Sequence, residues 1–270
     1  MDNRPIGFFD SGIGGLTSVA YVMEMLPNEQ IIFFGDTART PYGSKSEFNI
    51  ERFSVEIAEF LVKHDVKMIV IACNTVTATC LDTLKKRFKD IPIIGVIKPT
   101  AKVISNICTE KSNIGIIATN VTVRSKAYER QIHKLNPKLN LFSIACPAFV
   151  PLIEEGIIEN EIMDMTIKYY LDDFIIKNNI TDIVLGCTHY PLIGERIKNI
   201  YPDINLISSS KEVAIAVDIE LKKHNLSASS KSGDNIFFAS DLSDNFINMI
   251  NLITKNDRDE NTICFHNFEL

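Results

Sequence analysis

The sequence predicts an α/β protein made of two pseudo-symmetric parallel-sheet domains, with an active site in the cleft between them. Three observations predict it. Short continuous apolar runs alternate with longer amphipathic stretches along the 270-residue chain, the pattern of strands buried on both faces by crossover helices. The segment KHDVKMIVIACNT at 63–75 returns as KNNITDIVLGCTH at 177–189. IGFFDSG at 6–12 likewise returns as IGIIATN at 114–120, and IIFFGDT at 31–37 as LFSIACP at 141–147, in the same order.

The elements follow in sequence. Runs 6–9, 31–34, 68–72 and 93–97 are of strand length and rich in Ile, Val and Phe, which suits them to strands. Stretches 48–64 and 77–88 between them carry helical spacing. Runs 114–118, 141–145, 183–186 and 204–207 repeat the set, with helical stretches at 123–135 and 161–177. From Lys211 the chain reads as a helix, a polar loop near 226–235, a strand at 236–239 and another helix. This tail is expected to pack back on the first half. The expected domains are therefore 1–97 with 211–270, holding Cys73, and 98–210, holding Cys187.

Hydrophobic residues make up 46% of the chain and the net charge is −6. No stretch gathers Lys and Arg into a basic face, so nucleic acid is not an expected partner. The N-terminus lacks a signal-peptide pattern. No apolar run approaches the roughly 18 residues of a membrane span. A cytoplasmic protein without membrane association is expected. None of the six cysteines forms a C-x-x-C pair, and no metal-spaced ligand cluster is visible. Cys80, Cys108 and Cys264 read as small apolar residues.

In parallel sheets, ligands bind beyond the carboxyl ends of the strands. Asp10-Ser11, Asp36-Thr37, Cys73-Asn74-Thr75, Thr119-Asn120, Cys146 and Cys187-Thr188-His189 stand at those ends, small or polar after apolar strand bodies. The repeat puts two thiols at equivalent points of two related halves. Few reactions need two identical weak acids facing each other. Inverting an amino-acid α-carbon is one: a group on one face removes the proton while its like delivers one to the other face. A helix follows each cysteine, and a helix N-terminus lowers a thiol pKa. Asp10, His189 and Glu154 are candidates to assist the thiols, with Glu155 equally placed. The plain structural role of Asp10 is a helix N-cap in DSGIGG. Backbone amides of that loop suit a carboxylate. Ser11, Asn74, Thr75 and Thr188 are small donors for the two ends of an amino acid. Tyr42-Gly43 offers a turn with one hydroxyl and exposed amides.

Taken together, FFDSGIGGLT, GDTARTPYG, ACNT, FVPLIEEG and LGCTHYPL resemble the bacterial glutamate racemases, in order from about Ile6 to about Tyr201. The resemblance implies interconversion of L- and D-glutamate without pyridoxal phosphate or metal, with D-glutamate going to peptidoglycan. It implies Cys73 and Cys187 as the acid/base pair, assisted by Asp10, Glu154 and His189. Substrate contacts would come from Asp10, Ser11, Tyr42, Gly43, Asn74, Thr75, Thr188 and His189. Related aspartate racemases tend to carry Glu where His189 stands, so glutamate is favoured over aspartate. Members are often dimers, which makes a homodimer the default expectation.

Overall fold

Strands form where the apolar runs lie. The computed structural model describes residues 1–253 and 261–268. Its strands are β1 (Ile6–Asp10), β2 (Ile31–Gly35), β3 (Met68–Ile71), β4 (Ile93–Gly95), β5 (Asn113–Ala118), β6 (Asn140–Ala145), β7 (Asp182–Gly186), β8 (Asn205–Ile207), β9 (Asn235–Ala239) and β10 (Asn261–Phe265). β1, β2, β3 and β7 are buried along their whole length. Successive side chains serve opposite faces. Phe8 joins an apolar cluster with Leu16, Val19 and Phe33, and Phe9 joins another with Phe34, Ile57 and Leu61.

Among the described residues, β10-β9-β2-β1-β3-β4 form a six-stranded sheet and β6-β5-β7-β8 a four-stranded one. Every pairing is parallel. The predicted pair of parallel-sheet α/β units is thus observed. The order β2-β1-β3-β4 recurs as β6-β5-β7-β8. In each, the connections diverge on either side of the earliest strand. This leaves a crevice at the carboxyl ends of β1 and β3, and another at β5 and β7. One apolar cluster joins the sheets, with Ile6 and Phe8 from the first and Ile114, Ile116 and Val184 from the second. Helices Leu16–Met25, Ile97–Ile107, Ala127–Leu135 and Ser210–Lys223 contribute Val19, Ala101, Ile132 and Val217 to it.

Three elements differ from the sequence reading. The stretch 123–135 is two helices, Asn120–Ser125 and Ala127–Leu135, broken at Lys126, which takes the left-handed conformation with φ 51°. β4 stops at Gly95, and Ile97–Ile107 is helix. Pro99 falls in that helix's first turn, where its missing N–H costs nothing. β10 was not expected. It pairs with β9 as a sheet edge and is only partly buried, so it lacks the continuous apolar run that marks the inner strands.

A buried ion pair pins the amino-terminal side of the first sheet. Lys67 Nζ lies 2.5 Å from Glu29 Oε2 and donates to the Asp2 carbonyl at 2.6 Å. Glu29 Oε1 accepts the Ala228 N–H at 2.8 Å. Lys67→Met leaves the Glu29 carboxylate buried without its cation, which costs about 3–5 kcal/mol. A urea melt is expected to show that loss, and an unchanged midpoint would remove the pair from the account of stability.

No helix among the described residues is long and apolar enough to cross a membrane. No group of three or more His, Cys, Asp or Glu side chains among them could hold a metal ion.

Candidate active site

The strand ends bring the two repeat cysteines to one cavity. Cys73 follows β3 and caps helix Asn74–Arg87. Cys187 follows β7, just before the short 3-10 turn Tyr190–Ile193. Both are buried, and both line a cavity shared with Ser11, Tyr42, Gly43, Asn74, Thr75, Thr188 and His189. Pro41, Thr119 and Val150 complete the lining. Only about 10 Å³ of it is open to the centre of a water molecule, room for roughly one water.

Cys73 sits in the first crevice beside the end of β1. Ser11 Oγ lies 3.3 Å from Cys73 Sγ. Burial pushes this thiol up to about 12, and the negative charge of Asp10 adds to the shift. Hydrogen bonds from Ser11 and the Val76 amide act the other way and are outweighed. The expected lowering by the helix N-terminus is therefore overturned at Cys73. The helix amide is in place, but desolvation of a fully enclosed thiolate costs more than it returns.

Asp10, expected as a substrate contact, is fully buried and is not among the residues that line the cavity. Its Oδ2 accepts the Gly12 N–H at 3.2 Å, and Thr188 Oγ1 donates to Oδ1 at 3.3 Å. It thus serves the loop before helix Leu16–Met25 and also bridges to the residue after Cys187. Burial raises its carboxyl pKa, against the charge of His189 and the amides of Gly15 and Gly12.

Cys187 has different company. His189 Nδ1 lies 3.9 Å from Cys187 Sγ, and His189 Nε2 lies 2.5 Å from Glu154 Oε1. Glu154 ends helix Phe149–Glu154, whereas Glu155 is exposed. The helix phase thus selects the first of the two adjacent glutamates. Asn245 Nδ2 donates to the Glu154 carbonyl at 2.6 Å. Burial alone would lower the imidazole pKa, but Cys187 and Glu154 outweigh it and hold His189 well above the ordinary range. The result is a sulfur–imidazole–carboxylate row.

Tyr42 departs from its expected role. Its hydroxyl donates to Asp36, which also accepts from Arg39 Nε and Ser240 Oγ, each at 2.7 Å. That hydroxyl is spent inside the first unit. Thr119 is a lining residue that the sequence reading did not choose. Its Oγ1 lies 2.9 Å from Thr75 Oγ1 and 3.0 Å from Thr122 Oγ1, a row of hydroxyls joining the two sheets. The signal was present: in the repeat, Thr119 of IGIIATN stands where Ser11 stands in IGFFDSG.

A family profile described as Asp/Glu/Hydantoin racemase matches residues 18–216. A glutamate racemase of Geobacter metallireducens is 41% identical over 253 residues, covering 93% of each chain. One from Neisseria gonorrhoeae is 47% identical over 216 residues, covering 78% of this chain and 79% of that protein. The crystal structure of the Francisella tularensis glutamate racemase in complex with D-glutamate superposes with a TM-score of 0.89 at 39% identity, covering 100% of this chain and 98% of the other. An aspartate racemase of Picrophilus torridus, at 16% identity and a TM-score of 0.52, shares the fold alone. The chain belongs to the Asp/Glu/hydantoin racemase family, among its glutamate racemases.

Proposed function

We propose that the chain interconverts L- and D-glutamate by passing the α-proton between substrate and two thiols, Cys73 on one face and Cys187 on the other. One observation carries the reading: both cysteines line the same buried cavity from opposite sheets, close enough that the charge of one acts on the other. The structure favours one starting state. Burial favours the protonated Cys73 thiol, while Cys187 has its Sγ 3.9 Å from Nδ1 of His189, a histidine held well above its ordinary range. Cys187 then takes the α-proton as its S–H bond forms and the C–H bond breaks. Cys73 gives its proton to the opposite face of the carbanion. The reverse direction exchanges the roles, with Ser11 and the Val76 amide serving the Cys73 thiolate. Both proton transfers fall to side chains of this chain, so the reading calls for no pyridoxal phosphate or metal. Its product suits peptidoglycan synthesis.

Each substrate molecule requires opening and closing, because the cavity as it stands is smaller than an amino acid. Residues 1–97 with 211–270 and residues 98–210 are the two bodies that would part, with β1 and β3 on one side and β5 and β7 on the other. Gly43 marks how closely they meet: a Cβ there would lie 2.5 Å from Thr119 Cβ. Gly43→Ala is expected to hold the cleft ajar at a cost of about 1–3 kcal/mol. Steady-state kinetics should show kcat/KM down by roughly ten- to a hundredfold, and an unchanged value would mean that closure does not use this contact.

The test of the function is α-proton exchange with each enantiomer of glutamate in deuterated water, no cofactor added. Racemisation with solvent deuterium in the product is expected. Binding of glutamate with neither inversion nor deuterium at the α-carbon would reduce the protein to an amino-acid binder. Parallel turnover of L-aspartate measures the specificity, and aspartate at equal or greater rate would replace glutamate as the substrate.

A further inference from the structure

Asn74 lines the cavity directly after Cys73, yet half of its amide is committed elsewhere. Tyr128 Oη donates to Asn74 Oδ1 at 2.7 Å. Both residues are almost wholly enclosed, Asn74 2% and Tyr128 1% exposed. Asn74 Nδ2 is buried and has no hydrogen-bond partner in the protein. A buried amide nitrogen without a partner carries a desolvation cost that a ligand can relieve.

Tyr128 comes from the other unit. It sits in helix Ala127–Leu135, which packs on helix Ile97–Ile107. Its ring reaches across the strand end that carries Cys187. A Cβ on Gly186 would stand 3.3 Å from Tyr128 Cε2 and 2.8 Å from the Ile117 carbonyl. Glycine before Cys187 therefore leaves the ring its path to Asn74. Burial raises the phenol pKa, so the hydroxyl stays protonated and able to donate.

We propose that Tyr128 is a positioning residue for the racemisation: it holds the Asn74 oxygen, so that the Asn74 nitrogen faces the cavity as a donor for a substrate carboxylate. This rests on reading the cavity as an amino-acid site. An asparagine amide is nearly symmetric in shape, and its two ends differ in hydrogen-bonding sense. Turned over, it would present oxygen to an anion. Tyr128 supplies the donor that makes one orientation the better one. Because it acts from the second unit, the amide is set only when the two halves meet. The donor is then completed by the same closure that brings the thiols together.

The test is a double-mutant cycle on Tyr128→Phe and Asn74→Ala, reading KM and kcat for both enantiomers. Tyr128→Phe is expected to raise KM about tenfold, the value of one hydrogen bond to a charged group, with kcat falling by less. In the Asn74→Ala background the same change is expected to move KM by less than about twofold, since the coupling has gone. An unchanged KM in Tyr128→Phe, or an effect undiminished in Asn74→Ala, overturns the proposal. Should Tyr128→Phe fail to fold by circular dichroism, Asn74→Asp decides. With Tyr128 intact, that variant turns an acceptor to the substrate, and KM is expected to rise by about a hundredfold or more. A wild-type KM there refutes the need for a donor. If the unaltered protein binds D-glutamate without racemising it, the functional reading fails separately, and the cycle is read in calorimetric Kd instead.

Discussion

Cys73→Ser and Cys187→Ser are each expected to abolish measurable racemisation in both directions, with kcat/KM lower by on the order of a thousandfold or more. A serine hydroxyl fills nearly the same space, so folding should be little affected. It is too weak an acid to serve as the base, and as a donor it would leave an alkoxide in a buried cavity. The informative residue of activity is exchange without inversion. Each variant keeps one thiol, which can still remove and return the α-proton of the enantiomer that presents it. In deuterated water the two variants are expected to label opposite enantiomers. If either variant keeps wild-type kinetics in both directions, the two-thiol mechanism is wrong. If both label the same enantiomer, the thiols do not serve opposite faces.

His189→Asn is expected to have the next largest effect. It removes the imidazole that links Cys187 to Glu154, and a loss of about a hundred- to ten-thousandfold in kcat/KM is expected for a group that supports proton transfer. Enantiomers have equal free energy, so the equilibrium constant is one. The fall in kcat/KM must then be the same in both directions, while kcat and KM taken separately need not match. The pH profile separates charge from shape. His189 is held well above the ordinary imidazole range by Cys187 and Glu154, against the pull of burial. It therefore keeps its proton through neutrality and loses it on the alkaline side, where activity through Cys187 should decline. Glu154→Gln keeps a hydrogen-bonding partner without the negative charge, and should move that alkaline limb to lower pH. An unmoved limb in Glu154→Gln would show that the carboxylate does not act through His189.

Much of this was legible in the residues, for physical reasons that can be named. Inner parallel strands are buried on both faces, so β1, β2, β3, β5 and β7 stand out as apolar runs bounded by polar turns. The repeat identified Cys73 and Cys187, because equivalent positions in two related units fall at equivalent strand ends. It held the signal for Thr119 too, the counterpart of Ser11, though that residue was not chosen from the sequence. β10 was hidden, since an edge strand needs no continuous apolar run. The choice between Glu154 and Glu155 depended on the phase of a six-residue helix, which sequence spacing alone does not resolve. The state of Cys73 was misjudged because a helix N-terminus is a local property and enclosure is not. Tyr42 and Tyr128 show the same limit. Each hydroxyl takes its role from a buried partner, Asp36 in one case and Asn74 in the other, that only the assembled fold supplies.

The order of strands has a consequence for how the chain is made. β5 to β8 are contiguous in sequence, so the four-stranded sheet can close as soon as residue 207 has left the ribosome. The six-stranded sheet cannot. β2 pairs with β9, which begins at Asn235, and β10 follows later still. Through most of synthesis the nascent chain therefore carries β2, IIFFG, as an open apolar edge. Such an edge invites pairing with other chains until its own partner arrives. The unit that carries Cys187 is ready first, and the one that carries Cys73 is sealed later, by strands from Asn235 onward.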